Sequence, residues 1–184
     1  MTTANIITLI RIALVPLFMW TMSSTGSAFD VISIVIFAIA SLTDGIDGYI
    51  ARKYNQVTNF GKFIDPLADK LLVTAALLIF VGRGVIPSWA AMLIIAREFF
   101  VTSLRIVAIS EKNLVVAANF AGKIKMVVQI VCILFLLTNY TETVVFSSVT
   151  LGDTAVALMV VVTVWSGIVY FAKNRGMLNM RVKR

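Results

Sequence analysis

Long apolar runs separated by short polar connections recur along the whole chain, and this pattern predicts six helices. The runs occupy residues 5–22, 30–54, 58–81, 87–109, 117–138 and 153–172. Their lengths are close to the roughly 20 residues that an α-helix needs to cross a bilayer. We therefore predict an all-α integral membrane protein with six transmembrane helices, forming a single domain over residues 1–184. A short amphipathic lead-in is expected at residues 5–9.

Residues that favour helix starts stand at the beginning of four of these runs. Asp30, Thr58 and Asp153 are of the N-cap type, and Pro87 suits a first helical turn. They set the expected N-terminal boundaries of the second, third, sixth and fourth helices, respectively.

Composition and the placement of basic residues support a membrane protein. The chain of 184 residues is 60% hydrophobic and 14% charged, with a mean hydropathy of +0.98, far from the balance of a soluble domain. The connections at 23–28 and 139–151 contain no Lys or Arg, and the connection at 82–86 contains only Arg83. By the positive-inside rule, both termini then lie in the cytoplasm. The expected location is the cell (inner, cytoplasmic) membrane, with the active site on its cytoplasmic face.

The residue types that are absent limit the possible metal chemistry. The chain carries a net charge of +7, no histidine, and one cysteine, Cys132, within an apolar run. This composition excludes a disulfide framework and a zinc or iron site rich in His or Cys. A bound metal must therefore have oxygen ligands, which Mg²⁺, Mn²⁺ and Ca²⁺ accept.

Four aspartates are concentrated where the second predicted helix ends and the third begins. Asp44 and Asp47 are three residues apart, and Asp65 and Asp69 are four apart, so each pair lies on one helix face. Two antiparallel helices joined by a short turn can aim these faces at each other. Like charges at about 4 Å repel by roughly 1–4 kcal/mol per pair, so four converging carboxylates need divalent cations. Such a group can hold two metal ions.

Small residues lie among these acids. Glycine within a helix costs about 1 kcal/mol relative to alanine, so Gly48 and Gly61 indicate that a ligand approaches the backbone closely. Gly45 is explained equally well by close helix packing. The aspartates also have an alternative interpretation, as solvated residues at helix ends that pair with Arg52, Lys53 and Lys62.

The spacing of these residues resembles the signature of a known family. Asp44-x-x-Asp47-Gly48-x-x-Ala51-Arg52, followed after eight residues by Gly61-x-x-x-Asp65-x-x-x-Asp69, is similar to the signature of the CDP-alcohol phosphotransferases. The resemblance implies a six-helix membrane homodimer. It also implies transfer of a phosphatidyl or similar group from a CDP-linked donor to an alcohol, with release of CMP.

The resemblance also implies roles for individual residues. Asp44, Asp47 and Asp65 would coordinate two Mg²⁺ or Mn²⁺ ions that bind the donor pyrophosphate. Asp69 would contact the second metal ion and act as general base on the attacking hydroxyl. The cytidine slot and a donor phosphate would be bound by Gly48, Ala51, Gly61 and Arg52.

Basic residues of the fourth and fifth predicted helices suggest an anionic acceptor. Arg97 and Arg105 are eight residues apart and share a helix face, and a buried arginine is costly unless it meets an anion. Lys123 and Lys125 follow in the next helix, and several such donors suit a phosphate monoester. Alternatively, the two lysines and Arg105 only anchor the helix ends at the membrane surface.

One further basic residue, Lys70, and one acidic residue, Glu98, are expected near this group. Lys70 is expected to form an ion pair with Glu98 across the bundle. Glu98 directly follows Arg97, and we expect its side chain to point away from that arginine.

Several segments resemble the branch of the family that uses sn-glycerol 3-phosphate: "IAREFFVTSLR", "AGKIK", "DPLADK" and Asn5-x-x-Thr8-x-x-Arg11. The substrates implied are CDP-diacylglycerol and glycerol 3-phosphate, and no nucleic acid partner is expected. The acceptor phosphate would bind Arg97, Arg105, Lys123 and Lys125, with Thr8 and Arg11 as further site residues.

Other functions stay open at this point. Within the family, phosphatidylglycerol (the acceptor of a cardiolipin synthase) or inositol phosphate is an alternative acceptor. From a different class, a divalent-cation transporter is opposed by the lack of acids within the apolar stretches of the last two helices.

Overall fold

The computed structural model describes residues 3–24, 26–53, 59–112, 120–138, 141, 143–146 and 149–173. Within these ranges only the backbone is described at residues 3–5, 27, 44–53, 59–63, 65–66, 69, 105–112 and 144–146.

Six α-helices and one small hairpin make up the described part of the chain. The helices are α1 (Thr3–Ser23), α2 (Ser27–Lys53), α3 (Asn59–Gly82), α4 (Ser88–Lys112), α5 (Phe120–Leu136) and α6 (Leu151–Lys173). Between α5 and α6, strands β1 (Val144–Phe146) and β2 (Val149–Thr150) pair in antiparallel fashion. The six predicted helices are confirmed, whereas the hairpin was not predicted. The expected lead-in at residues 5–9 forms the first turns of α1 and is not a separate segment.

Two of the four residues predicted to mark helix starts lie inside the first turn of their helices, and Thr58 lies outside the described residues. The second helix begins at Ser27 and not at Asp30, because the carbonyl of Gly26 already accepts hydrogen bonds from the Phe29 and Asp30 amides. Gly26 has φ 128°, a conformation that other residues rarely adopt. Asp30 therefore lies in the first turn, where its negative charge complements the helix dipole.

The sixth helix begins with a capping box rather than with Asp153 as its first residue. The Asp153 amide donates to Oγ1 of Thr150 at 3.1 Å, and the Thr150 amide donates to Oδ2 of Asp153 at 3.0 Å. Thr150 is thus the capping residue, and Asp153 lies three positions inside, which is the reciprocal arrangement of a capping box. The fourth helix begins directly after Pro87, whose carbonyl accepts from the amides of Ala90 and Ala91.

The helices pack around one apolar core. Helix α1 packs against α2 and α3, α6 packs against α4 and α5, and α3 contacts α4. The largest fully buried apolar side chains are Phe18, Phe37, Phe80, Met22, Leu77, Ile86, Ile94, Ile133 and Met159. A buried hydrogen bond of 2.9 Å from the Ser33 hydroxyl to Oγ1 of Thr21 also joins α2 to α1. This packing brings the inner faces of all six helices together.

The outer faces of the helices are apolar as well. Each helix exposes large hydrophobic side chains, including Trp20, Val31, Leu78, Trp89, Phe100, Val131 and Ile168. Ile6–Ser23 and Leu151–Lys173 are long and apolar enough to cross a membrane, and Ala28–Thr43 and Lys70–Gly82 are shorter apolar helical stretches. A bundle that is apolar both inside and outside is typical of proteins in contact with lipid.

Candidate functional site

The four aspartates of the signature lie in regular helical backbone. Asp44 and Asp47 belong to α2, and Asp65 and Asp69 belong to α3. This confirms that each pair lies on one face of its helix, since residues three or four apart share a face.

The side chains of the signature lie outside the described residues. This applies to Asp44, Asp47, Asp65, Asp69, Gly48, Ala51, Arg52 and Gly61, and also to Arg105 of α4. The convergence of the four carboxylates therefore stays a prediction. Carboxylate oxygens are ligands that Mg²⁺ and Mn²⁺ accept, so the residue types of the signature fit either ion in their chemistry.

A cavity of about 240 Å³ adjoins the segments that carry these aspartates. Ala40 and Ser41, which line it from α2, precede Asp44 by one helical turn, and Lys70, which lines it from α3, directly follows Asp69. Other lining residues come from the remaining helices: Arg11, Arg97, Glu98, Thr102, Lys123, Lys125, Gln129, Ser166 and Tyr170. The cavity is therefore next to the signature in space as well as in sequence.

Positive charge predominates along the walls of this cavity. Its described lining includes five basic residues, Arg11, Lys70, Arg97, Lys123 and Lys125, and one acidic residue, Glu98. A concave, partly apolar site with this excess of positive charge concentrates anions. The cavity is thus suited to a small negatively charged solute.

The carboxylate of Glu98 is shared by three of the basic residues of the cavity. Its Oε1 accepts a hydrogen bond of 2.9 Å from Nη1 of Arg97 and another from Nζ of Lys125, and its Oε2 lies 3.7 Å from Nζ of Lys70. The side chains of Glu98, Arg97 and Lys125 are only 20%, 13% and 4% exposed. Three helices thus meet at one carboxylate, which holds their basic side chains in place.

The structure confirms one sequence prediction about Glu98 and corrects another. The ion pair between Lys70 and Glu98 is present. The expectation that Glu98 points away from Arg97 is wrong, because both long side chains reach into the cavity from neighbouring positions of α4. Adjacent residues of a helix project in different directions, but side chains as long as those of Arg97 and Glu98 can still reach each other.

Of four other residues predicted to belong to the site, three line the cavity and one does not. Lys125 is buried and its Nζ also donates to Oε1 of Gln129, so its contacts are not those of a membrane-surface anchor. Lys123 is exposed and forms part of the cavity wall. Arg11 is buried and lines the cavity, whereas Thr8 is buried without lining it.

Gln129, Ser166 and Tyr170 line the cavity but were not predicted from the sequence. Their spacing contains usable information: Gln129 lies four residues after Lys125 in an apolar run, and Ser166 and Tyr170 are four residues apart on α6. Polar residues that repeat at helical spacing within an apolar helix indicate a polar interior face.

The fold and the site together define a helical bundle with an apolar exterior and a basic cavity beside two acid-bearing helices. The profile of the CDP-alcohol phosphatidyltransferase family matches residues 1–169, and the chain belongs to this family.

Named relatives cover most of the chain. A protein of Bacillus subtilis (strain 168) named CDP-diacylglycerol–glycerol-3-phosphate 3-phosphatidyltransferase is 47% identical, over 92% of this chain and 93% of its own. A protein of the same name from Salmonella paratyphi A is 35% identical, over 94% of each chain. A Mycobacterium tuberculosis protein named probable phosphatidylglycerophosphate synthase is 43% identical, over 71% of this chain and 63% of its own.

Proposed function

We propose that this enzyme transfers the phosphatidyl group of CDP-diacylglycerol to sn-glycerol 3-phosphate, giving phosphatidylglycerophosphate and CMP. The observation that carries the proposal is the basic cavity, which lies directly against the helical segments that bear the signature aspartates. The names of the Bacillus and Salmonella relatives support the same pair of substrates.

The cavity suits the phosphate of the acceptor. Five basic residues against one carboxylate leave an excess of four positive charges in the described lining (five minus one), enough for a phosphate dianion. Arg97 and Lys125 supply charge-assisted hydrogen bonds to it, and Arg offers two parallel donors for a phosphate. Lys123 and Arg11 add to the positive wall.

The signature binds the donor in this proposal. Asp44, Asp47, Asp65 and Asp69 hold two Mg²⁺ or Mn²⁺ ions, which when bound neutralise the negative charge of the pyrophosphate and of the transferred group. Arg52 binds a donor phosphate, and Gly48, Ala51 and Gly61 leave room for the cytidine.

The reaction is a substitution at the phosphorus that carries the lipid. The terminal hydroxyl of glycerol 3-phosphate forms a new bond to that phosphorus, and the bond from phosphorus to the CMP oxygen breaks. Asp69 accepts the hydroxyl proton as the bond forms. Lys70, which directly follows Asp69, lies in the cavity wall, and this supports a proposed base close to the acceptor.

We place the enzyme in the cytoplasmic membrane, with six spans and both termini and the active site on the cytoplasmic side. Support comes from the apolar outer faces of the helices and from the two helices long enough to span a bilayer. The uneven distribution of Lys and Arg supports the orientation. The homodimer rests on the family resemblance.

The test is an acceptor panel with purified protein. CDP-diacylglycerol is supplied with Mg²⁺ and either glycerol 3-phosphate, inositol phosphate or phosphatidylglycerol, and both CMP and the lipid product are measured. We expect CMP release with glycerol 3-phosphate, and its loss on chelation of the metal. Faster turnover of another acceptor would reassign the substrate. Mn²⁺ flux into proteoliposomes without any CMP release would instead favour a transporter.

A further inference from the structure

We propose that Gln129 determines acceptor specificity by donating a hydrogen bond from its amide nitrogen to the hydroxyl of glycerol 3-phosphate that does not react. This inference rests on the proposed function, since it concerns a second contact within the same acceptor cavity.

The orientation of the Gln129 amide follows from its neighbour. Nζ of Lys125 donates to Oε1 of Gln129, one helical turn along α5. A lysine ammonium group only donates hydrogen bonds, so the amide oxygen must face it and the amide nitrogen must face away. Lys125 is in turn held by Glu98 of α4. The chain of contacts from Glu98 through Lys125 thus presents the Gln129 amide nitrogen as a donor.

That donor lacks an acceptor among the described residues. Nε2 of Gln129 is fully buried and has no hydrogen-bond partner in this part of the chain. The residue is only 4% exposed, and it lines the cavity. A buried amide donor without a partner is unfavourable, and such groups in native proteins usually meet an acceptor oxygen. A ligand in the cavity can provide that oxygen.

A hydroxyl suits this position better than the phosphate does. Gln129 is neutral, and the charged donors Arg97 and Lys125 already provide the contacts that a phosphate needs. The amide nitrogen of Gln129 lies close to Nζ of Lys125, because the oxygen of the same amide accepts a hydrogen bond from that Nζ. A phosphate held at Lys125 therefore places the hydroxyl on the next carbon of the glycerol within reach of Gln129.

The experiment removes the middle hydroxyl of the acceptor by a change of substrate, and the amide of Gln129 by a mutation. Glycerol 3-phosphate is compared with 3-hydroxypropyl phosphate, which keeps the phosphate and the reacting hydroxyl but lacks the middle one. For the wild-type enzyme we expect kcat/KM to favour glycerol 3-phosphate by about tenfold to a hundredfold. In Gln129→Met, an apolar change of similar size, we expect the preference to disappear. Loss of the contact with Lys125 lowers the rate with both acceptors, but the rate with glycerol 3-phosphate falls further because it also loses the contact with its middle hydroxyl.

Thr163→Val is the matched control. Oγ1 of Thr163 is also buried without a hydrogen-bond partner among the described residues, but Thr163 is not part of the cavity lining. We expect this variant to keep the wild-type preference between the two acceptors. Loss of the preference in Thr163→Val as well would show that removing any buried polar group affects it. That result would overturn the specific role of Gln129.

The outcomes separate this inference from the proposed function. A wild-type enzyme that uses both acceptors equally well, or a Gln129→Met variant that loses the same factor with each, overturns the role of Gln129 alone. A wild-type enzyme that releases no CMP with either acceptor overturns the proposed function and the inference with it. The wild-type comparison requires no variant, and Gln129→Leu repeats the test if the methionine variant does not fold.

Discussion

The acid-bearing segments and the basic cavity beside them differ in how their charge is balanced. The cavity has an internal counterion, because Glu98 contacts Arg97, Lys125 and Lys70 with one carboxylate. The signature instead places two aspartates on α2 and two on α3, at spacings that put each pair on one helix face. In our proposal, metal ions from outside the protein balance that charge.

Of the two regions, the cavity is the one whose basic side chains are held in place before a substrate binds. Basic side chains already held by a carboxylate need little rearrangement when a phosphate arrives, and so lose little conformational entropy. In our proposal, the aspartates of the signature repel each other and reach their working geometry only when metal ions bind. We therefore expect mutations in the signature to affect the reaction itself, and mutations in the cavity to affect chiefly acceptor binding.

The largest effect is expected for Asp69→Asn. Because the amide cannot accept the hydroxyl proton, the rate of CMP release should fall by about 10²–10⁴-fold. Asp153→Asn is the matched control, since the Asp153 carboxylate accepts from the Thr150 amide at the start of α6 and lies outside the cavity lining. Turnover is measured at saturating glycerol 3-phosphate. A rate for Asp69→Asn equal to that of the control would remove the general base from our mechanism.

A smaller effect, of a different kind, is expected for Arg97→Ala. Losing a charge-assisted hydrogen bond to the phosphate should raise KM for glycerol 3-phosphate about tenfold to a hundredfold, with a smaller change in kcat. Arg83→Ala is the control, because Arg83 donates to the carbonyl of Met22 at the turn between α3 and α4 and lies outside the cavity lining. A fall in kcat with unchanged KM would contradict the division between the two regions.

How far the sequence predicts this molecule depends on whether a feature is local. The six helices followed from the length and hydropathy of each apolar run. The start of α2 was misplaced by three residues, because the carbonyl of Gly26 begins the helix before the acidic residue Asp30. The hairpin of β1 and β2 depends on pairing within a polar connection that hydropathy alone does not reveal.

In the site, too, the sequence predicted features within one helix better than contacts between helices. Spacing along one helix was enough to place Asp44 and Asp47 on one face of α2, and the position of Lys70 was enough to suggest its partner Glu98. The contact of Glu98 with Lys125 was missed because it depends on how α4 and α5 lie relative to each other. Its contact with Arg97 was missed because helical direction alone does not show that two adjacent long side chains can meet. The orientation of Gln129 depends in turn on that contact.

Glu98→Gln tests whether the cavity is formed in advance. Without the carboxylate, three basic side chains lose their shared partner, and we expect the Tm to fall by about 5–10 °C. Because the phosphate of the acceptor can replace the lost charge, added glycerol 3-phosphate should raise the Tm of this variant more than that of the wild type. The measurement is thermal unfolding in detergent at several concentrations of glycerol 3-phosphate, with glycerol as the uncharged control. Equal stabilisation of both proteins would show that Glu98 and the phosphate do not occupy the same charge centre.

The smallest effect is expected far from both charged regions, at the start of α6. Thr150→Ala removes the hydroxyl that accepts from the Asp153 amide and donates to its carboxylate, so the Tm should fall by a few degrees. Thr154→Ala, which removes only a hydroxyl bonded to the Leu151 carbonyl within the helix, should change the Tm less. Neither residue lines the cavity, so kcat and KM should stay at their wild-type values in both variants. A change in KM for glycerol 3-phosphate in Thr150→Ala would mean that the start of α6 positions Ser166 and Tyr170, and the cavity could no longer be treated as independent of the helix ends.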